Sequence, residues 1–167
     1  MKGDPKVVAV LGEVLKAELT AINQYFLHAE MCHNWRFEKL YNFIRKESID
    51  EMRHAEMLLE RILYLDATPN MNASFKITIG KTVPEQIKND LQLEYEAVKR
   101  LNEGIKTCEA AGDNGSRELL KQILVDEEGH IDWLEGQLTA IAQMGVQNYL
   151  SQQLYDAAGA EAGAAGA

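Results

Sequence analysis

The sequence predicts an all-α protein in which two antiparallel helical hairpins, joined by a long crossover, make a four-helix bundle with a short fifth helix behind it. Three observations carry this prediction. Proline occurs only at positions 5, 69 and 84, so residues 6–68 and 85–167 run without interruption, and these stretches are rich in the helix formers Leu, Ala, Glu, Lys and Gln. Apolar residues recur at steps of three and four in four separate stripes, the spacing that lines one face of a helix. Strand-like alternation is confined to Phe75-Lys76-Ile77-Thr78-Ile79.

The first stripe is Leu11, Leu15, Ile22, Tyr25 and Ala29, and the second, after a short joint at 34–37, is Leu40, Ile44, Leu58, Ile62 and Leu65. Residues 68–82 carry two Asn, one Pro and one Gly and read as a long connection. The third stripe is Ile87, Leu91, Val98, Leu101 and Ile105; Gly112-Asp113-Asn114-Gly115 then stops the helix, with Ser116 the expected cap of the next. The fourth is Leu120, Leu124, Ile131, Leu134, Leu138 and Ile141. Short joints make antiparallel neighbours, whereas a long connection can span a bundle. Residues 147–154 are expected to form the fifth helix. The domain is expected to occupy residues 1–155, and the Ala/Gly-rich residues 156–167 to be an unordered tail.

Composition narrows the function. A chain of 167 residues with 46% hydrophobic and 26% charged residues is globular. Its 17 basic and 26 acidic residues leave a net charge of −9, which disfavours nucleic acid and favours cations. No apolar run approaches the roughly 18 residues of a membrane span, and Val7–Leu11 is shorter than the core of a signal peptide. Cys32 and Cys108 match no CxxC spacing and are expected to be free or packing thiols in a cytoplasmic protein.

Each apolar stripe is broken by charge. Glu18 sits between Leu15 and Ile22; Glu47, Glu51 and His54 lie between Ile44 and Leu58; Glu94 follows Leu91; Glu127 and His130 interrupt the last stripe. Buried carboxylates are costly unless paired, hydrogen-bonded or metal-bound. The interruptions share one shift, since 94 minus 18, 127 minus 51 and 130 minus 54 all equal 76, and Asp50-Glu51-x-x-His54 recurs as Asp126-Glu127-x-x-His130. In an antiparallel hairpin, level positions sum to twice the turn. The pairs 18/51 and 94/127 centre on 34.5 and 110.5, at or beside the two short joints. All four segments therefore meet at mid-bundle, roughly 24 Å from each turn at 1.5 Å per residue. Within each ExxH, carboxylate and imidazole share one face. Four carboxylates and two imidazoles, without thiolate, suit two divalent cations, iron or manganese rather than structural zinc. One Glu from each of two helices plus Glu-x-x-His from each of the others is the ligand pattern of ferritin-like dinuclear carboxylate proteins.

Several segments extend this likeness: Met1-Lys2-Gly3-Asp4, Ala21-Ile22-Asn23-Gln24-Tyr25-Phe26-Leu27-His28, Glu47 to His54, Asp126 to Leu134, and Gln147-Asn148-Tyr149-Leu150. Over about residues 1–154 the chain closely resembles the bacterioferritins, the haem-containing bacterial ferritins. The resemblance implies that Glu18, Glu51, His54 and Glu127 hold one iron and Glu51, Glu94, Glu127 and His130 the other, with Glu51 and Glu127 bridging. These six would be the catalytic residues of a ferroxidase that oxidises Fe(II) with oxygen or hydrogen peroxide and stores ferric mineral. It further implies a homo-oligomeric shell of twenty-four subunits built from dimers, a ferredoxin-type reductant for iron release, and haem b shared by two subunits through Met52. Alone, Met52 reads as packing, as do Met31, Met57 and Met144; thioether ligation of haem is chemically reasonable.

Around the centre, Tyr25 is placed to hydrogen-bond a ligand carboxylate or to donate an electron, or else is an ordinary core tyrosine with a satisfied hydroxyl. Asp50 and Asp126 are expected to accept hydrogen bonds from ligand imidazoles, His28 and His33 to lie at the surface or an interface, and Glu47 on a solvated face. Where several family members have a histidine beside the aspartate, in an inner-surface iron site, this chain has Lys46, whose charge would repel iron. The resemblance does not extend to the tail after Tyr155. Rival readings are a di-iron or di-manganese peroxidase or catalase on the same ligands, disfavoured by the absence of a CxxC module and by Met52, and a haem-binding electron-transfer bundle, disfavoured by the intact ligand set.

Overall fold

The structure, a computed structural model, describes residues 1–155; the tail expected at 156–167 lies outside the described residues. Four long helices, α1 (Pro5–Asn34), α2 (Glu38–Tyr64), α3 (Val83–Ala110) and α4 (Asn114–Met144), form the bundle, and a short α5 (Val146–Ser151) follows. Pro5 and Pro84 stand in the first turns of α1 and α3, where a missing N–H costs nothing. Asp4 caps α1 by accepting from the Lys6 amide at 2.7 Å, and Thr82 caps α3. At α4 the cap is Asp113, not Ser116. The Asp113 carboxylate accepts from the Ser116 amide at 2.9 Å and from Arg61 at 2.6 Å, while the Ser116 hydroxyl donates to it at 2.8 Å. A carboxylate with three donors outcompetes a hydroxyl for this position. Gly112 supplies the positive φ of 70° that turns the chain out of α3.

The crossover forms no strand. An isolated alternating segment has no partner ladder, and its amides go to α1 side chains instead: Phe75 to Thr20 at 2.8 Å, Thr78 to Gln24 at 2.9 Å and Gly80 to His28 at 3.0 Å. The fifth helix is anchored by Tyr149, which is buried and donates to Gln137 at 2.8 Å, and by the Lys39 amide, which donates to the Gln153 carbonyl at 3.1 Å.

The apolar core is divided into two clusters. One gathers Leu11, Leu15, Leu58, Ile62, Leu101 and Leu120; the other gathers Tyr25, Leu40, Ile44, Ile87, Leu134 and Tyr149. On every long helix the interval between the two clusters is where Glu18, Glu51, Glu94 or Glu127 sits. Met57 packs against the first cluster, but Met144 does not pack as expected, being left exposed at the end of α4. Cys32 and Cys108 are buried and free; burial pushes their thiols up to about 12 and about 11, which keeps them unreactive. Among the described residues no helix is long and apolar enough to cross a membrane.

Candidate metal centre

Helix periodicity turns six side chains into the gap between the two apolar clusters. Glu18, Glu51, His54 and Glu127 each bring one ligand atom within 4.8 Å of the others, and Glu51, Glu94, Glu127 and His130 do the same beside them. Glu51 and Glu127 belong to both groups. All are buried except His130, which is partly exposed.

Both imidazoles aim Nδ1 at the centre. For His54 the distances are 3.1 Å to Glu51, 3.2 Å to Glu127 and 3.5 Å to Glu18. For His130 they are 2.8 Å to Glu127, 3.1 Å to Glu51 and 3.8 Å to Glu94. Within this cage Glu18 Oε2, Glu51 Oε1, Glu127 Oε2 and His130 Nδ1 are buried and make no well-aligned hydrogen bond, so that only the close contacts among the ligands themselves serve them. Native interiors rarely leave converging acceptors orphaned, and this set of oxygens with two nitrogens suits one or two hard-to-borderline divalent cations.

The electrostatics point the same way. Burial, with the neighbouring Glu51 charge, pushes the Glu18 carboxyl up to about 8 against the opposing pull of His54. Burial and the Glu127 and Glu51 charges hold Glu94 well above its usual range. Burial alone would lower both imidazoles, but for His54 the bonds to Glu127, Glu18 and Glu51 outweigh it, and for His130 those to Glu127, Glu47 and Glu51 do. Without cations, protons supply the missing positive charge. Tyr25 is buried and its hydroxyl donates to Glu94 Oε1; burial and the Glu94 and Asp90 charges raise its pKa, so it remains a donor.

The outward nitrogens are held differently from the symmetric expectation. His54 Nε2 meets Asp126 Oδ2 at 3.2 Å, whereas His130 Nε2 meets Glu47 Oε2 at 2.8 Å. Asp50 contacts no imidazole nitrogen at bonding distance. Lys46 holds it at 2.5 Å and Arg53 also binds it, so although burial pushes its carboxyl up, these cations keep it low. Glu47 is correspondingly buried rather than solvated. The internal repeat could not flag it, because the matching position of the other hairpin is Ile123. His28, too, is fully buried rather than superficial, while His33 is surface-exposed and pairs with Glu38 at 2.9 Å. Met52 is 55% exposed on α2, as is Phe26 at 52% on α1.

A cleft of about 570 Å³ reaches this centre from outside, walled by Lys46, Glu47, Asp50, Arg53, Asp126 and His130 among others. Asp126 is half-exposed there, so its hold on His54 is partly screened by water. Asp126→Asn is expected to weaken divalent-metal binding at this centre severalfold, less than the ~10–100-fold typical of buried partners of metal ligands; a Co(II) affinity equal to the parent's would remove Asp126 from the centre's working parts.

Residues 8–144 match the ferritin family through its ferritin-like domain. The chain is 49% identical over 152 residues to the bacterioferritin of Mycolicibacterium paratuberculosis, covering 91% of this chain and 96% of that one. It is 48% identical over 155 residues to the bacterial ferritin of Synechocystis sp., covering 92% and 99%. With the bacterioferritin of Streptomyces coelicolor it shares 48% identity over 151 residues, 90% of each chain.

Proposed function

The chain belongs to the bacterioferritins, iron-storage proteins of the ferritin-like family, and on that footing we propose that it oxidises Fe(II) at an intrasubunit di-iron centre and stores the product inside a hollow homo-oligomeric shell. The observation that carries this reading is the pair of overlapping ligand groups sharing Glu51 and Glu127. Iron is the substrate, giving up electrons to oxygen or hydrogen peroxide. The six residues Glu18, Glu51, His54, Glu94, Glu127 and His130 are its proposed ligands.

Each does identifiable work. Four carboxylates balance two divalent charges, so metal binding replaces the protons that Glu18 and Glu94 otherwise hold. Each imidazole presents Nδ1 inward because its Nε2 is occupied, by Asp126 at 3.2 Å and by Glu47 at 2.8 Å, which orients the ligand and raises its basicity. Tyr25 fixes the rotamer of Glu94 through its hydroxyl. Lys46 stands at the cleft mouth with its ammonium on Asp50, so cations approaching this way meet a neutralised carboxylate rather than a free one.

Haem is proposed at a two-fold contact between subunits, held by Met52 of each. An exposed thioether beside half-buried Ile49 fits that role, and the group would carry single electrons, supplied by a ferredoxin-type reductant, for iron release. The compartment proposed is the cytoplasm and the assembly a 24-mer built from dimers. Sizing of the purified protein combined with aerobic Fe(II) addition tests the main reading: a large particle that takes up iron supports it, and a small species that oxidises none overturns it. Met52→Leu is expected to abolish the Soret absorbance while leaving Fe(II) oxidation within about twofold of the parent; a retained Soret band would place the haem ligand elsewhere.

A further inference from the structure

Outside the ligand cage lies a second buried polar cluster, made of Gln24, His28 and Asp90, each no more than 2% exposed. Asp90 accepts from Gln24 Nε2 at 2.8 Å, and His28 Nδ1 lies 2.9 and 3.0 Å from its two oxygens. The other ends of the same α1 side chains grip the crossover, since Gln24 Oε1 accepts from the Thr78 amide and His28 Nε2 from the Gly80 amide. Because the Gly80 amide can only donate, His28 Nε2 is an acceptor and its hydrogen sits on Nδ1, aimed at Asp90. Crossover, α1 and α3 are thereby tied at one carboxylate. The crossover comes so close here that a Cβ on Gly80 would stand 2.2 Å from the Gln86 amide nitrogen, which leaves room only for glycine.

We propose that Gln24, His28 and Asp90 are positioning residues for the Glu94–His130 half of the metal centre. Asp90 lies one helical turn before Glu94, and Gln24 directly precedes Tyr25, whose hydroxyl binds Glu94. Asp90, Tyr25 and His130 also line one small cavity of about 10 Å³, too tight to absorb much displacement. A shift of Asp90 therefore passes into both ligands of that half. Among the described residues the other half has no such device. The 76-residue repeat puts Val14, Arg100 and Gly104 at the positions matching Asp90, Gln24 and His28, and none of these can rebuild the bonded triad. The network therefore acts on one metal position and spares the other.

This inference rests on the dinuclear reading of the centre, and Co(II) titration of the intact protein, followed by its visible absorbance, separates the two. The parent is expected to bind two Co(II) per chain; fewer would overturn the dinuclear reading itself. Asp90→Asn sets an amide donor against Gln24 or His28, and is expected to keep the first Co(II) and weaken the second on the order of tenfold, the low end for partners that orient metal ligands. Thr20→Val, which removes the crossover bond at Phe75 and the local bond to the Lys16 carbonyl but leaves the Gln24–His28–Asp90 cluster intact, is expected to keep both. Two Co(II) bound by Asp90→Asn with parental affinity and spectrum overturns the proposal, as does equal loss in Thr20→Val, which would mean general loosening. Should Asp90→Asn fail to fold, Gln24→Met takes its place, with a smaller loss at the second position expected and parental binding overturning the proposal.

Discussion

Glu51→Gln is expected to reduce aerobic Fe(II) oxidation by at least ~100-fold, the upper end for residues that only support a metal ligand, and to remove most of the thermal stabilisation that Co(II) confers. Glu51 is 1% exposed and contributes to both ligand groups, so losing its charge weakens two metal positions at once. The amide keeps the side chain's shape, so the fold persists. Metal binding to the native state alone stabilises by about 2.7 kcal/mol when free metal is 100 times Kd; that increment collapses once affinity falls a hundredfold. Glu56, five residues on but exposed, is the control, and Glu56→Gln should match the parent in both assays. Stopped-flow oxidation and calorimetric melting with and without Co(II) make the comparison. A Glu51→Gln protein oxidising iron within about threefold of the parent would refute the bridging assignment.

The second large effect is a pair of opposite pH slopes. The Glu18 carboxyl rises from 4.5 to about 8 on folding, through burial and the Glu51 charge. The metal-free folded state thus binds this proton more tightly than the unfolded chain, so its contribution to stability is full below pH ~4.5 and is lost as pH climbs towards 8. Both imidazoles are also raised, through their carboxylate partners, and their contribution likewise declines as pH rises above the ordinary histidine value of 6.5. Metal binding needs these groups deprotonated, so metal affinity changes in the other direction. The melting-temperature gap between Co(II)-loaded and metal-free protein is expected to widen steadily from pH 5 to pH 8. Taking the difference cancels groups remote from the centre, and a gap that narrows over this range would contradict the cluster's assigned charges.

Much of this molecule is written along its chain because helices encode their faces locally. Steps of three and four among Leu11, Leu15 and Ile22, or Leu91, Val98 and Leu101, specify which side of each helix turns inward. A carboxylate inserted in such a stripe is turned inward with it. The common shift of 76 relates the two hairpins, and the short joints put the interruptions level. Residues picked out by those rules alone, Glu18, Glu51, His54, Glu94, Glu127 and His130, are the ones the fold gathers within 4.8 Å in two groups.

What the tertiary structure decided is which partner wins where several compete. The repeat treats Asp50 and Asp126 alike, yet Lys46 and Arg53 capture Asp50 on its own helix, and Glu47 takes the His130 nitrogen instead. His28 has no signature distinguishing it from a surface histidine, because its partners Asp90 and Gly80 are 62 and 52 residues away. The strand-like run at 75–79 lacked a strand to pair with and spent its amides on α1 side chains. Periodicity is a property of neighbouring residues and survives in the sequence by itself; hydrogen-bond partnership depends on distances that exist only once the helices have packed.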